Sequence, residues 1–159
     1  MEEKNSARDE NRQLWVLMNQ TRHVMARYID SALRDTGVTE VQVSLLYYLM
    51  NVDSTPNQAE VSRWLYRKPH TVFSLVNSMA KLGMVKKVKD KKRRNVTRVM
   101  ITDKGREMYM RAQEQYTEAL EIMSTLSQGE KGQLEGSLRK LREAAFEKLP
   151  QEQPPASFV

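Results

Sequence analysis

A chain of 159 residues, 40% hydrophobic and carrying a formal charge of +6, holds one domain of ordinary size, and a polyanion is a more natural partner for it than an acidic protein. The absence of cysteine excludes disulfides, thiolate metal sites and thiol-based peroxide sensing. The charged N-terminal stretch MEEKNSARDENRQ has no apolar signal core, and no run nears the ~18 apolar residues of a membrane span, so a soluble, cytoplasmic protein with no membrane partner is expected.

Residues 1–7 are expected to fray. From about Arg8 to Leu33, Leu14, Leu17, Met18, Met25, Tyr28, Ile29, Ala32 and Leu33 recur with a helical period, and Asp35-Thr36-Gly37 stops the helix. Thr39 and Gln42 form a capping box that opens a second helix running to about Met50. Thr55-Pro56-Asn57-Gln58 has the form of another capping box, with Pro56 at the first helical position and Ala59, Val61 and Leu65 facing inward. Lys68-Pro69 marks the next start. Val72, Leu75, Val76, Met79 and Leu82 give that helix one apolar face, and Gly83 suits the left-handed position that ends it. Two helices joined by a few residues, the second with one apolar and one polar face, make a helix-turn-helix.

Met84–Val88 and Val96–Ile101 are predicted strands around a basic loop. The run KKVKDKKRRNVTR, residues 86–98, carries eight Lys or Arg against a single acid, Asp90. Such a loop can lay several cations along a phosphate backbone and release its condensed counterions. Thr102 caps a long helix through Met108, Ala112, Ala119, Met123 and Leu126. Ser127 and Glu130 form a third capping box, opening a last helix with Leu134, Leu138, Leu141, Ala145 and Leu149.

The expected architecture is mainly α with a two-stranded β wing: a winged helix-turn-helix lobe plus long N- and C-terminal dimerisation helices. The divisions fall at 1–38 (N-terminal dimerisation helix), 39–101 (DNA-binding lobe), 102–149 (C-terminal dimerisation helices) and 150–159 (a flexible, Pro-rich tail). The terminal helices carry more apolar stripe than one lobe can cover, and a stripe of that size belongs in an interface. Two chains joined by these helices would carry +12, twice the +6 of one.

On the 69–82 helix the polar face holds His70, Thr71, Ser74, Asn77, Ser78 and Lys81, with Phe73 placed to meet a thymine methyl. Asn77 is a candidate bidentate reader of adenine. Lys91, Lys92, Arg93 and Arg94 at the loop tip are candidates for minor-groove and phosphate contact. Lys68, Arg67, Arg63 and Gln58 are candidates for clamping phosphates near the turn, and the helix start at Asn57 offers backbone N–H groups to an anion. The bland alternatives are a solvated helix face and a mobile charged hairpin in which Asp90 is a plain turn residue or braces a wing arginine.

The run TPNQAEVSRWLYRKPHTVFSLVNSMAKLGMVKKV, followed by RRNVTRVMITDKG, resembles the multiple-antibiotic-resistance regulator (MarR) family of bacterial transcription factors. His70-Thr71-Val72, Leu75-Val76, Met79-x-x-Leu82-Gly83-Met84-Val85 and Ile101-Thr102-x-x-Gly105 carry the likeness, which spans roughly residues 39–110. The resemblance implies a triangular homodimer with interlocked terminal helices. It further implies a repressor on a pseudo-palindromic operator of double-stranded DNA, released by a small-molecule effector bound between the dimer helices and the winged lobe. Two departures stand out. Phe73 and Ser74 replace the family's usual Ser or Thr followed by Arg, and the usual Asp-x-Arg-Asp-x-Arg wing keeps Asp90 but loses its second acid within Lys91-Lys92-Arg93-Arg94.

Trp15, Arg22, His23 and Tyr28 on the first helix, with Tyr47 and Tyr48 on the second, are candidates to line that effector pocket or else to pack the dimer junction with wet polar tips. Two histidines, His23 and His70, show no ligand spacing, so neither a metal nor a cofactor is expected. No Gly-rich phosphate loop, nucleophile elbow or acid–base cluster is visible, and no catalytic residue is assigned, so the chain is expected not to be an enzyme. The alternative function is a winged-helix dimer serving as a protein-interaction module with an acidic partner. A single-strand platform would need interleaved aromatics that are missing.

Overall fold

The computed structural model describes residues 2–90, 92–93 and 95–149. The expected 150–159 tail therefore lies outside the described residues. In chain order the elements are α1 (Glu2–Ala32), α2 (Glu40–Asn51), α3 (Gln58–Trp64), α4 (Pro69–Lys81), β1 (Val85–Lys89), β2 (Thr97–Ile101), α5 (Asp103–Leu120) and α6 (Gln128–Glu147). Helix α1 begins six residues before the expected Arg8 and does not fray at 2–7.

The core is the meeting of α2, α4 and the strands, closed by the end of α1 and by α5. Leu33, Val43, Leu45, Leu46, Val61, Val72, Val76, Met79 and Val99 are all fully buried, and each contributes roughly 1.5–3 kcal/mol relative to an exposed side chain. Thr39 N–H donates to Gln42 Oε1 at 2.9 Å, as the sequence pattern required for α2. The strands pair antiparallel with Val85 opposite Ile101, Lys87 opposite Val99 and Lys89 opposite Thr97.

Four local expectations are corrected. Helix α3 starts at Gln58, so Pro56 is not its first residue. The cap is Asn57, which bonds Glu60 reciprocally at 2.6 and 3.0 Å. Pro56 instead accepts from Val99 N–H at 2.8 Å, and Asn57 bridges Arg98, so this stretch lies extended along the free edge of β2. Ala59 faces solvent, while Ser62 takes an inward position by donating its hydroxyl to Gln58 O at 2.8 Å. Leu82, expected on the buried face of α4, is 46% exposed because it is the C-cap, where the chain leaves that face. The long helix after Thr102 also does not run unbroken to Leu126. It tightens into a 3-10 turn over Glu121–Thr125, and Leu126 is extended so that Ser127 can cap α6 through Glu130.

Helices α3 and α4 end in the same way with different residues. After α4, Gly83 N–H donates to Ala80 O and Met84 N–H to Met79 O, with Gly83 at φ 74°. After α3, Tyr66 N–H donates to Arg63 O and Arg67 N–H to Ser62 O, and Tyr66 holds the left-handed position at φ 50°. A bulky side chain there is strained. Its ring is held at 5.8 Å from Phe146 and under the Arg142 guanidinium, both on α6.

The strands are locked to α5 by Thr102. Its hydroxyl donates to Gly83 O at 2.6 Å and accepts from Gly105 N–H at 3.0 Å. A Cβ on Gly105 would lie 2.0 Å from Met84 O, so backbone meets backbone here without a side chain between them. Gly105→Ala is expected to force the strand off the helix and destabilise the chain by about 3 kcal/mol, the upper range for overpacking. Urea unfolding measures this as a lowered midpoint with an unchanged slope.

Candidate nucleic-acid interface

Helix α4 buries Val72, Val76 and Met79 and turns its other face to solvent. Lys68, His70, Thr71, Ser74 and Ser78 are exposed there, with Arg67 in the preceding turn. Phe73 is 53% exposed, far more than its apolar ring would adopt for packing alone. Ser74 donates its hydroxyl to His70 O at 3.1 Å, so toward a ligand it can only accept. Asn77 is half-buried, and its amide oxygen accepts from Lys87 Nζ at 2.7 Å. Lys87 reaches it because Val85, Lys87 and Lys89 share one face of the hairpin. That face begins on the core at Val85 and continues outward past α4.

The wing is held at its base. Asp90 Oδ1 accepts from the backbone N–H of both Lys92 and Arg93 at 2.8 Å, and Oδ2 accepts from Arg98 Nε. Arg98 also donates through Nη1 to Thr55 O, on the extended segment before α3. Asp90 is therefore the brace of the wing rather than a plain turn residue, and its partner is Arg98. The loop-tip cations Lys92 and Arg93 are exposed, whereas Lys91 and Arg94 lie outside the described residues. Gln58, expected beside the helix-turn-helix turn, lies elsewhere. It lines a crevice with Phe73, Lys87, Val88, Lys89 and Thr97, between α4 and the wing. The start of α3 offers little to an anion, because the Asn57 side chain already takes the Glu60 N–H.

Sequence reasoning did not single out Lys87, Arg98 or Tyr66. The alternation Val85-x-Lys87-x-Lys89 carried a signal for Lys87. Arg98 had none, since Thr55 is 43 residues away in sequence.

The six effector-pocket candidates are not gathered in one chain. Trp15 lines a groove of about 760 Å³ with Met18, Met123, Leu134, Leu138 and Leu141. Tyr28 lines an open depression with Val24, Arg27 and Arg34. Tyr48 is buried and stacks on Trp64 at 4.7 Å, and Tyr47 lies between Trp64 and Tyr109. Arg22 and His23 are exposed, and His23 Nδ1 sits 2.7 Å from Asn19 O one turn earlier. Tyr48 thus packs the lobe itself, while Tyr47 stays exposed at its surface. Among the described residues no three His, Asp or Glu side chains group as metal ligands.

A helix-turn-helix followed by a braced two-stranded wing, carried on long terminal helices, defines a winged helix-turn-helix protein. Solved structures share the whole arrangement. An organohalide-sensing regulator (RdhR), ligand-free, superposes with a TM-score of 0.84 at 23% identity over 94% of this chain and 89% of that one. Its 2,4-dichlorophenol-bound form gives 0.77 at 24% identity, over 84% and 80%. MepR from S. aureus, in complex with DNA, gives 0.75 at 21%, over 81% and 96%. AbsC, a MarR family transcriptional regulator from Streptomyces coelicolor, gives 0.78 at 12%, over 86% and 95%. The fold is that of the MarR-family winged-helix regulators, and each of these neighbours is a regulator rather than an enzyme. No protein-family model matches the sequence, and no curated protein matches it.

The Asp90 brace sets a pH dependence. The Arg93 backbone N–H, the Arg98 side chain and the Lys92 backbone N–H together hold its carboxyl down to about 2 from an ordinary 3.8. A carboxyl whose folded value is lowered favours the folded wing when ionised. That contribution is complete above about pH 4 and disappears as pH falls through about 2. A carboxyl NMR titration of Asp90 is expected to show its inflection near 2, and Arg98→Gln to raise it. An ordinary value in the unsubstituted chain would mean that the brace does not form.

Proposed function

We propose that this chain is a DNA-binding transcriptional regulator that works as a homodimer on a pseudo-palindromic operator and represses from it. One observation carries the reading: the exposed polar face of α4 and the exposed cations of the braced wing are fixed side by side on one lobe. In the dimer, α4 of each chain enters successive major grooves, about 34–36 Å apart, while the wings grip flanking minor grooves and phosphates. Base contact is assigned to His70, Thr71, Phe73, Ser74, Asn77 and Ser78, and phosphate contact to Arg67, Lys68, Lys91, Lys92, Arg93 and Arg94. MepR, which shares the fold, is seen on DNA.

The partner is a second copy because the terminal helices leave a matching apolar surface. Helix α6 buries no residue, and Leu134, Leu138 and Leu141 stand 41–49% exposed opposite Trp15, itself 64% exposed. Burying such a surface is what holds a symmetric pair together. The domain divisions at 38, 101 and 149 then separate the dimerisation helices from the DNA-reading lobe. Among the described residues no helix is long and apolar enough to cross a membrane.

Regulation follows from the same frame. A small-molecule effector seats in the open depression at the end of α1 lined by Arg27, Tyr28 and Arg34. It acts by preferring a different spacing of the two lobes, and its effect equals its differential affinity for the two shapes. The organohalide sensor and CouR, which share the fold, hold 2,4-dichlorophenol and p-coumaroyl-CoA.

Two measurements test this reading. Lys92→Gln with Arg93→Gln is expected to weaken binding to selected and random duplexes alike. It should also flatten the slope of log K against log salt by about 1 per lost phosphate contact. An unchanged slope would place the wing off the DNA. Leu134→Glu with Leu138→Glu is expected to convert a 37 kDa species, twice the 18.5 kDa chain, into monomer by sedimentation. Operator affinity should fall with it, and a dimer that survives both charges would put the interface elsewhere.

A further inference from the structure

We propose that the crevice between α4 and the wing seats one DNA phosphate in each half-site, gripped by Lys87 and Lys89. The proposal rests on the reading of α4 and the wing as the DNA-contacting elements and goes beyond it, since neither lysine is among the phosphate contacts assigned above.

The need for such a seat follows from the shape of a duplex. With α4 in a major groove and the wing in the flanking minor groove, the two elements lie on either side of one sugar–phosphate strand, because adjacent grooves share that strand as their common wall. The strand has to pass between them. A crevice of about 250 Å³ opens at that place, walled by Phe73 of α4, by Lys87, Val88, Lys89 and Thr97 of the hairpin, and by Gln58 at the start of α3. It is smaller than the roughly 300–1,000 Å³ of clefts that enclose drug-sized ligands, which suits a single anionic group better than a small-molecule effector.

Its chemistry is that of an anion site. Two of the six wall residues are lysines and none is Asp or Glu. Val85, Lys87 and Lys89 share one face of β1, so both lysines leave the strand on the same side. Their Cα atoms are about 7 Å apart along the strand, close enough for two lysine side chains to converge on one phosphate. Both are exposed, and among the described residues neither forms an ion pair. Asp90, next in sequence to Lys89, is taken up by Arg98 and by the Lys92 and Arg93 backbone. Lys87 spends one hydrogen on Asn77 Oδ1 at 2.7 Å and keeps two, because an ammonium group carries three. That bond holds its head beside α4. Gln58 adds a buried amide N–H2 with no acceptor among the described residues, a donor that an entering phosphate oxygen can satisfy.

The lobe sets the width of the crevice. The end of α4 leads through Gly83 directly into β1, and Thr102 ties that junction to α5 by donating to the Gly83 and Met84 carbonyls. A phosphate held there fixes the register of the lobe on the duplex without reading a base.

A methylphosphonate scan of a duplex selected from a randomised library tests this in the full-length protein. Each modified duplex carries one neutral linkage in place of one phosphate. In the parent, one linkage per half-site, lying between the groove contacts of α4 and the wing, is expected to cost roughly 10-fold or more in affinity. Lys87→Gln with Lys89→Gln is expected to cost a similar factor on the unmodified duplex and to lower the slope of log K against log salt by about 1. On the duplex whose sensitive linkage is already neutral, the same pair of substitutions should cost less than about 2-fold, because the two changes remove one interaction. Thermal melting of the double variant should match that of the parent, because both side chains are exposed. A parent with no sensitive linkage between the two groove contacts overturns the proposal. So do losses that simply add, since the lysines would then act as diffuse charge rather than as a seat. In either case duplex binding itself would still stand, whereas a parent that binds no duplex at all refutes both the proposal and the DNA-binding reading.

Discussion

The polar face of α4 can serve a duplex only if the wing stands at a fixed angle beside it, and the angle is set where the hairpin is tied into the lobe. Thr102 bonds the Gly83 carbonyl, and Gly105 lets α5 approach the Met84 carbonyl without a side chain between them. Pro56 accepts from Val99 on the far edge of β2, and Arg98 ties Asp90 to Thr55. These ties are short, mostly backbone-centred and drawn from three separate stretches of sequence. A hairpin alone in water is marginal. Held at both edges and braced at its base by Asp90, this one presents Lys92 and Arg93 in a defined place.

The terminal helices do opposite work. Within one chain they bury little: α1 contributes Ile29 to the core, with Leu33 just past its end, and α6 contributes nothing. Their exposed apolar residues are the surface that the proposed dimer would use. The Tyr66 turn joins these two parts, because the ring of its strained residue lies against Phe146 and under Arg142 of α6. Helix α6 thus also touches the turn ahead of α4, and in the proposed dimer a change in how two chains pack would have a direct physical route to α4.

Much of this was legible in the sequence because it was local. The capping boxes at Thr39 and Ser127, the glycine after α4 and the helical period of Val72, Val76 and Met79 all act within a few residues of themselves. Errors arose where distant chain intervened. Thr55-Pro56 looked like a helix start, but the free edge of β2 drew it into an extended bridge and left Asn57 to cap α3. Tyr48 looked like a ring with a wet tip, but Trp64 stacks on it and it is buried, whereas Tyr47 beside it stays exposed. The exposure of Phe73 followed from its place on the polar side of α4. The Lys87 bond to Asn77 depended on strand register, which the alternation at Val85, Lys87 and Lys89 only hinted at.

Charge alone would permit any polyanion, so the geometry has to decide. Hydroxyl-radical footprinting of a selected duplex tests it most directly. The account predicts two symmetric sets of protections about one helical turn apart, each with an outer minor-groove protection from a wing. A uniform pattern along the duplex, or a single unpaired patch, would contradict it.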